Sequence, residues 1–347
     1  MTKVSVRYWE KRRELEDKAR LKMEGEMLRH LTEIYPEALE AIQEKLLSQS
    51  DLHKITINEL MEDFSKRDQK KYRKYIDNNF QELMALDESY QEFIDEFFPP
   101  YDYAKVNRLL VIRSDIFSEL AKRTIGADAN GLFSNGLEDL LKRSFASNTN
   151  ALAQILTIEP SLSMRKSELQ DYLNFPWSGK TFSTRLWGNI SRLEQNLSQS
   201  LVNAIMSGEG FENALKRMQN NSKISDMFKL EQGKFDRAIE NLVRTEYAHF
   251  AVTGIRKSFE DTGVQYSKSW SAEDERVCSI CGARHNKRIK DDWHPPYHGR
   301  CRCTEVPDIP DIDESIDAVY EAMFGDLLDE FAQDGFGVNL KQYRKGK

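Results

Sequence analysis

A chain of 347 residues is long enough for two or three domains and a sizeable buried core. Its 31% charged and 39% hydrophobic residues, with only 9 prolines and 17 glycines, fit solvated helices better than a β-sandwich or a disordered chain. The net charge of −7 excludes a protein that attracts nucleic acid over its whole surface.

Residues 1–20 are too charged for a signal peptide, and no apolar run approaches the roughly 20 residues a membrane helix needs. The expectation is a protein made and kept in a cytosol, with no membrane partner. Residues 1–98 read as helix nearly throughout. Leu28, Leu31, Tyr35, Leu39, Ile42 and Leu46 recur at three- and four-residue steps, the period of one buried face. Pro36 predicts a kink or the first turn of a new helix. Upstream, Glu14 with Lys18 and Glu16 with Arg20 are opposite charges four apart, as on a solvated helix. A second helical stretch spans about 57–98, and Pro99-Pro100 breaks it.

Helical periodicity resumes at Val106 and runs through Leu109, Leu110, Ile116 and Leu120 to about Ser144. Residues 148–163 read as a softer segment, and Pro160 precedes a helix carrying Leu169 and Tyr172. Phe175 to Gly179 is turn-rich. A long helix follows, with Leu186, Ile190, Leu193, Leu197, Leu201 and Ile205 on one stripe, and Ser207-Gly208-Glu209-Gly210 stops it. Two more helices are expected within 211–262, the second over Arg237 to Glu260. Trp177, Trp187 and Trp270 are core anchors by size. From Val264 to Trp270 the pattern alternates, which predicts a strand. The predicted fold is mainly α: a multi-helix body, a small C-terminal α+β zinc-binding module and an acidic helical tail. The corresponding domains are 1–98, 101–262, 263–310 and 311–347.

The cysteine segment carries the chemistry. Cys278-Ser-Ile-Cys281 is followed seventeen residues later by His298-Gly-Arg-Cys301-Arg-Cys303, and these are all four cysteines of the chain. Zinc takes four N/S ligands in a tetrahedron, and two x2-spaced pairs across a loop supply them. Five side chains compete for four places: Cys278, Cys281, His298, Cys301 and Cys303. The first choice omits Cys303, which could replace Cys301 or His298. Two local disulfides or four buried thiols are the alternatives. A closed four-ligand zinc would be structural, folding a segment too polar to build its own core. His285 and His294 suggest a metal-dependent nuclease, but the His285-Asn286 pair sits in the loop rather than on a following helix. There is no phosphate-cradling Gly-rich loop, HExxH or GxSxG, which leans away from an enzyme.

The stretch from Arg284 to Arg302 is basic, with Arg284, Lys287, Arg288, Lys290, Arg300 and Arg302 against Asp291 and Asp292. These six could contact nucleic acid, with Trp293 and Tyr297 available to stack. A solvated loop is the competing reading. After Cys303 no Lys or Arg occurs until Lys341, while eleven acids do. This asymmetry suggests an interaction surface followed by an acidic tail. Arg244-Thr245-Glu246 lies mid-helix and predicts a buried Arg–Glu pair linking that helix to the zinc module.

Arg244-Thr245-Glu246, Trp270, Asp274, Cys278, Cys281 and Pro295-Pro296-Tyr297-His298-Gly299-Arg300-Cys301-Arg302-Cys303 together resemble the C-terminal signature of phage Mu F-like head morphogenesis proteins, which include the SPP1-type minor head protein. Trp177-Ser178-Gly179-Lys180, Ser183, Arg185, Trp187 and Gly208-Glu209-Gly210 are similar to the middle of those proteins, and Tyr8-Trp9-Glu10-Lys11-Arg12 to the start of some. The resemblance implies a non-enzymatic minor capsid protein inside the head near the portal, assembled in the host cytoplasm. Its implied partners are the portal, the scaffold and the major capsid protein. Members are linked, less uniformly, to DNA packaging or ejection. A zinc-stabilised DNA-binding protein is the alternative, and a nuclease the more distant one. One departure stands out: Arg284-His285-Asn286-Lys287 occupies the place of an expected glycine-centred turn.

Overall fold

The computed structural model describes residues 3–49, 55–86, 106–124, 132–220, 237–272, 277–290 and 292–309. The described chain is mainly helical, with one small sheet. No described helix is long and apolar enough to cross a membrane. The chain forms two compact units, each assembled from separate stretches. One takes Met1–Met27, Asn135–Asn174 and Asn241–Lys347; the other takes Leu28–Ser134 and Phe175–Glu240.

The first helix, α1 (Lys3–Leu47), is 45 residues long and stays helical through position 36, so no new helix begins there. Proline removes one donor from the ladder, and buried positions on both sides, from Met27 and Leu28 to Ala38 and Leu39, hold the helix together. Leu28, Leu39, Ile42 and Leu46 are buried as their spacing predicts. The side chains of Leu31 and Tyr35 lie outside the described residues.

In the second unit, α2 (Ile57–Met61) opens with a capping box: the Thr56 hydroxyl accepts from the Glu59 amide and the Glu59 carboxylate accepts from the Thr56 amide. It is followed by α3 (Lys66–Leu86), α4 (Arg108–Thr124), α7 (Phe182–Met206) and α8 (Phe211–Asn220). The stripe read on α7 is buried from Leu186 to Ile205, with Trp187 stacked on Phe117 of α4 at 5.9 Å. Across the same helices the Arg113 guanidinium donates twice to Glu194, at 2.8 and 3.0 Å. Gly208 takes φ 82 just after α7, as its position at the stop signal requires. Pro99-Pro100 lies outside the described residues.

In the first unit, α5 (Leu132–Leu156) extends well into the stretch read as soft, and an exposed irregular segment begins only at Thr157. The reason is tertiary. Asn148 and Thr149 look like loop residues but are buried. The Asn148 amide accepts from Arg13 at 2.7 Å and donates to the Ser144 carbonyl at 2.8 Å and Glu16 at 3.3 Å. The predicted Glu14–Lys18 pair forms at 2.7 Å on the surface. The predicted Glu16–Arg20 pair does not: Glu16 binds Arg12 and Arg13, while Arg20 binds Asp17 and Glu24. All four of Arg12, Arg13, Glu16 and Arg20 are buried, so this part of α1 is packed where its charge suggested solvent. After α6 (Lys166–Asn174), the helix α9 (Arg237–Thr262) is the unit's central element, buried on almost every side from Leu242 to Phe259.

At Gly254 on α9, an added Cβ would lie 2.6 Å from the Leu141 carbonyl oxygen and 2.9 Å from the Phe145 amide nitrogen, both backbone atoms of α5. Helix propensity alone would have Gly254→Ala stabilise by about 1 kcal/mol. Backbone cannot yield as a side chain can, so we expect a net loss of about 1–3 kcal/mol. Thermal unfolding of the variant should show a lowered Tm; an unchanged or raised one would contradict this close crossing.

The sheet is small. Strand β1 (Ser267–Trp270) pairs antiparallel with β2 (Thr304–Pro307), Trp270 opposite Thr304 and Ser267 opposite Pro307. The other edge of β1 is covered by the segment 286–289. The Asn286 amide donates to the Ser269 carbonyl at 2.7 Å, Ser269 to Lys287 at 3.0 Å, and Ile289 to Ser267 at 3.0 Å. Trp270, with Val306, packs on Trp9, Leu152, Ile255 and Phe259, which joins the sheet to the helices of its unit.

Candidate metal centre

The short helix α10 (Ser279–Arg284) starts at Cys278, which is its N-cap: the sulfur accepts from the Cys281 amide at 3.5 Å. The CxxC spacing thus becomes one capped turn with both thiols on the same side. Opposite them, His298 to Cys303 runs into β2. The His298 Nε2 lies 3.2 Å from the Cys278 sulfur and 3.1 Å from that of Cys281. Cys281 and Cys301 sulfurs are 3.7 Å apart. All four thiols are free, and Cys281, Cys301 and Cys303 are buried.

Two groups of side chains could hold a metal ion, Cys278–Cys281–His298 and Cys281–Cys301–Cys303, with the ligand atoms of each within 4.8 Å of one another. Cys281 belongs to both. A tetrahedral ion with bonds of about 2.3 Å to sulfur has S–S edges of about 3.8 Å, so the donor set fits a zinc-sized ion in type and spacing. The imidazole is prepared for this. Its Nδ1 lies 2.8 Å from the Gly299 carbonyl and donates to it, which leaves the Nε2 lone pair facing the sulfurs.

The thiols are not alike. A hydrogen bond donated by Cys303 holds the Cys301 thiol down at about 5 in spite of its burial. The same donation, with burial, keeps Cys303 protonated far above the ordinary range. Burial raises Cys281 to about 12, and the backbone N–H of Cys281 lowers Cys278.

The motif is fastened to α9 through contacts the sequence did not rank first. The Thr245 hydroxyl accepts from the Arg300 amide at 3.0 Å, so the triplet meets the motif there. Arg244 also approaches Glu24 of α1 at 4.0 Å, and Glu246 is wholly buried. Gly299 lies so close to α9 that an added Cβ would sit 2.5 Å from the Asn241 side chain. Arg300 takes the left-handed backbone of the turn, φ 59.

The absent glycine-centred turn is accounted for as well. Asn286 adopts φ 54 at the end of α10, the conformation a glycine would supply and one that asparagine tolerates. His285 Nδ1 lies 3.0 Å from the Ser271 hydroxyl, and its ring lies against Trp270 at 4.6 Å. His294 Nδ1 lies 2.7 Å from Glu305, which also accepts from the Ser267 hydroxyl at 2.7 Å. Glu305 is wholly buried and clamps both edges of the module; it was not singled out in the sequence. Its position between Thr304 and Val306 in a β-branched run was the available signal.

Of the six basic residues, Arg284 lies over the Trp293 ring at 4.0 Å and Tyr297 at 5.0 Å. Arg288 pairs with Asp308 and lies over Tyr266 at 4.3 Å. Lys287 and Lys290 are exposed. The Arg300 amide is the one bound to Thr245. Arg302 lines a cavity of about 350 Å³ with Trp270, Arg13 and Arg20. Asp274 lies outside the described residues.

These features define a mainly helical protein with a thiol-and-imidazole cluster, able to hold a metal ion, docked on its central helix. Residues 195–306 match the family model described as phage Mu protein F like protein, which supports the resemblance carried by the motifs. The matched stretch reaches from the middle of α7 to β2 and contains the whole cluster. No curated protein and no solved structure matches the chain.

Proposed function

We propose that this is a bacteriophage minor head protein that binds the portal during procapsid assembly, with a structural zinc ion closing its C-terminal module. The observation that carries the reading is the docked cluster, because it lies within the family match and is built to hold shape. The contacts linking Cys278, Cys281, His298 and Cys301 favour those four as ligands, with Cys303 donating to the Cys301 sulfur. A closed set of four leaves no position for a reacting water, so the ion supplies stability alone. Both loop histidines have a ring nitrogen engaged in holding the module, which favours a structural role for them over a nucleolytic one.

The resemblance supports the portal, scaffold and major capsid protein as partners and the virion head as location. DNA binding by the basic loop is the other reading, and exposed Lys287 and Lys290 favour it. Co-purification with the portal separates the two. Capture is expected to survive nuclease and to change little between about 50 and 200 mM salt, whereas several phosphate contacts would weaken binding by orders of magnitude. Zinc should be found at one per chain in the same sample. Capture lost on nuclease treatment, or material free of zinc, would overturn the proposal.

A further inference from the structure

The outer face of the metal module carries apolar side chains that stay largely exposed, although Trp293 meets Tyr297 edge-on at 5.3 Å. Val277, Ile280 and Trp293 are 41%, 42% and 44% exposed. Ile280 and Arg284 are one turn apart on α10, so they share an edge. The Arg284 guanidinium lies over Trp293 and holds the indole at the surface. Exposed Lys287 and Lys290 lie in the same loop, which from Arg284 to Arg302 carries six basic residues against Asp291 and Asp292.

The chain leaving β2 has the opposite character. Its first acid, Asp308, is already held by Lys268 at 2.9 Å and by Arg288 at 2.7 Å. The described chain ends at Ile309, beside this basic loop. Onward from there, Ile312, Ile316, Tyr320, Met323, Leu327 and Phe331 repeat at three- and four-residue steps. Nine acids and no Lys or Arg lie between Asp311 and Asp334. Such a stripe needs an apolar cover, and its acids need a basic one.

We infer that residues 312–331 dock in cis on the surface formed by Val277, Ile280 and Trp293, their carboxylates set against Lys287 and Lys290. The anchor at Asp308 puts the stripe within a few residues of its site. A tether this short gives an effective concentration on the order of millimolar, so a weak contact suffices. Any partner that uses this face must first displace the tail. The inference does not depend on the portal being that partner.

Hydrogen exchange on the full chain tests it. The comparison is with a tail variant (Ile316→Ser, Tyr320→Ser and Leu327→Ser together) and with a surface variant (Ile280→Ser with Trp293→Ser). Amides in 277–293 should exchange about tenfold faster in the tail variant, and tail amides correspondingly faster in the surface variant. Protection should persist through a hundredfold dilution. Unchanged exchange at 277–293 in the tail variant would overturn the inference. Protection that fades on dilution would also overturn it, by assigning the contact to a second copy. The tail variant alters no residue of the module, so it decides the matter even if the surface variant fails to fold.

Discussion

Cys281→Ser is expected to release the metal and unfold the module from β1 through β2 while leaving the helices folded. Cys281 is common to both groups of candidate ligands, and its buried sulfur lies 3.1 Å from His298 and 3.7 Å from Cys301. Serine is no substitute for a thiolate at such an ion. Structural zinc contributes about 10–16 kcal/mol of apparent binding free energy in small zinc-folded peptides at neutral pH. Without it the module keeps two four-residue strands, a six-residue helix, the Trp270 contacts and a few polar links through Thr245, Glu305 and Asp308. Elemental analysis should find no zinc in the variant, and proteolysis should cut first within 267–309, with far-UV helicity nearly intact. Cys303→Ser is the informative partner: if Cys303 only donates to Cys301, that variant keeps its zinc and binds it more weakly. A Cys281→Ser protein with full metal content would reject the ligand assignment.

Glu24→Gln should stabilise the protein at pH 8 by on the order of 3 kcal/mol and change little near pH 4. Glu24 is buried on α1, and burial raises its carboxyl to about 7 although Arg20, Arg244 and Arg302 oppose the shift; Asp17 adds to it. The two nearest cations stand at 3.6 and 4.0 Å, too far for strong hydrogen bonds to offset the desolvation. Between the ordinary 4.5 and about 7 the folded chain holds a proton that the unfolded chain has lost. Stability from this group is therefore complete below 4.5 and lost as pH rises through 7. Glutamine carries no charge to bury, so its advantage should grow across that window. Denaturant titrations at several pH values give the difference directly; a difference that stays constant from pH 4 to 8 would contradict the assignment.

Much of this was legible in the residues, and the exceptions share a cause. Periodicity gave the α7 stripe and the buried positions of α1 because those helices bury one apolar face. It failed at Asn148, Thr149, Arg12 and Arg13, where polar side chains face one another inside the first unit and imitate loop or solvent composition. The cysteine and histidine spacing gathered the candidate ligands, since local turns suffice for that. It was silent on β2 and Glu305, whose roles arise from pairing with strand residues almost forty positions away. The Arg244–Glu246 triplet meets the cysteine motif, and the Thr245 hydroxyl, a contact the spacing did not single out, is bound by the facing turn at Arg300.

The threading of the two units has a consequence for synthesis. The stretch Leu28–Ser134 lies between pieces of the first unit, as does Phe175–Glu240. A nascent chain therefore holds every residue of the second unit once the first turn of α9 is made, before the rest of α9 and the cysteine motif exist. Residues 3–27, born first, must wait on the ribosome for partners such as Asn148, 135 positions beyond Arg13, and Arg244 of α9, farther still from Glu24. Arg12, Arg13 and Glu16, which help keep that waiting segment wettable, later become buried beside Asn148.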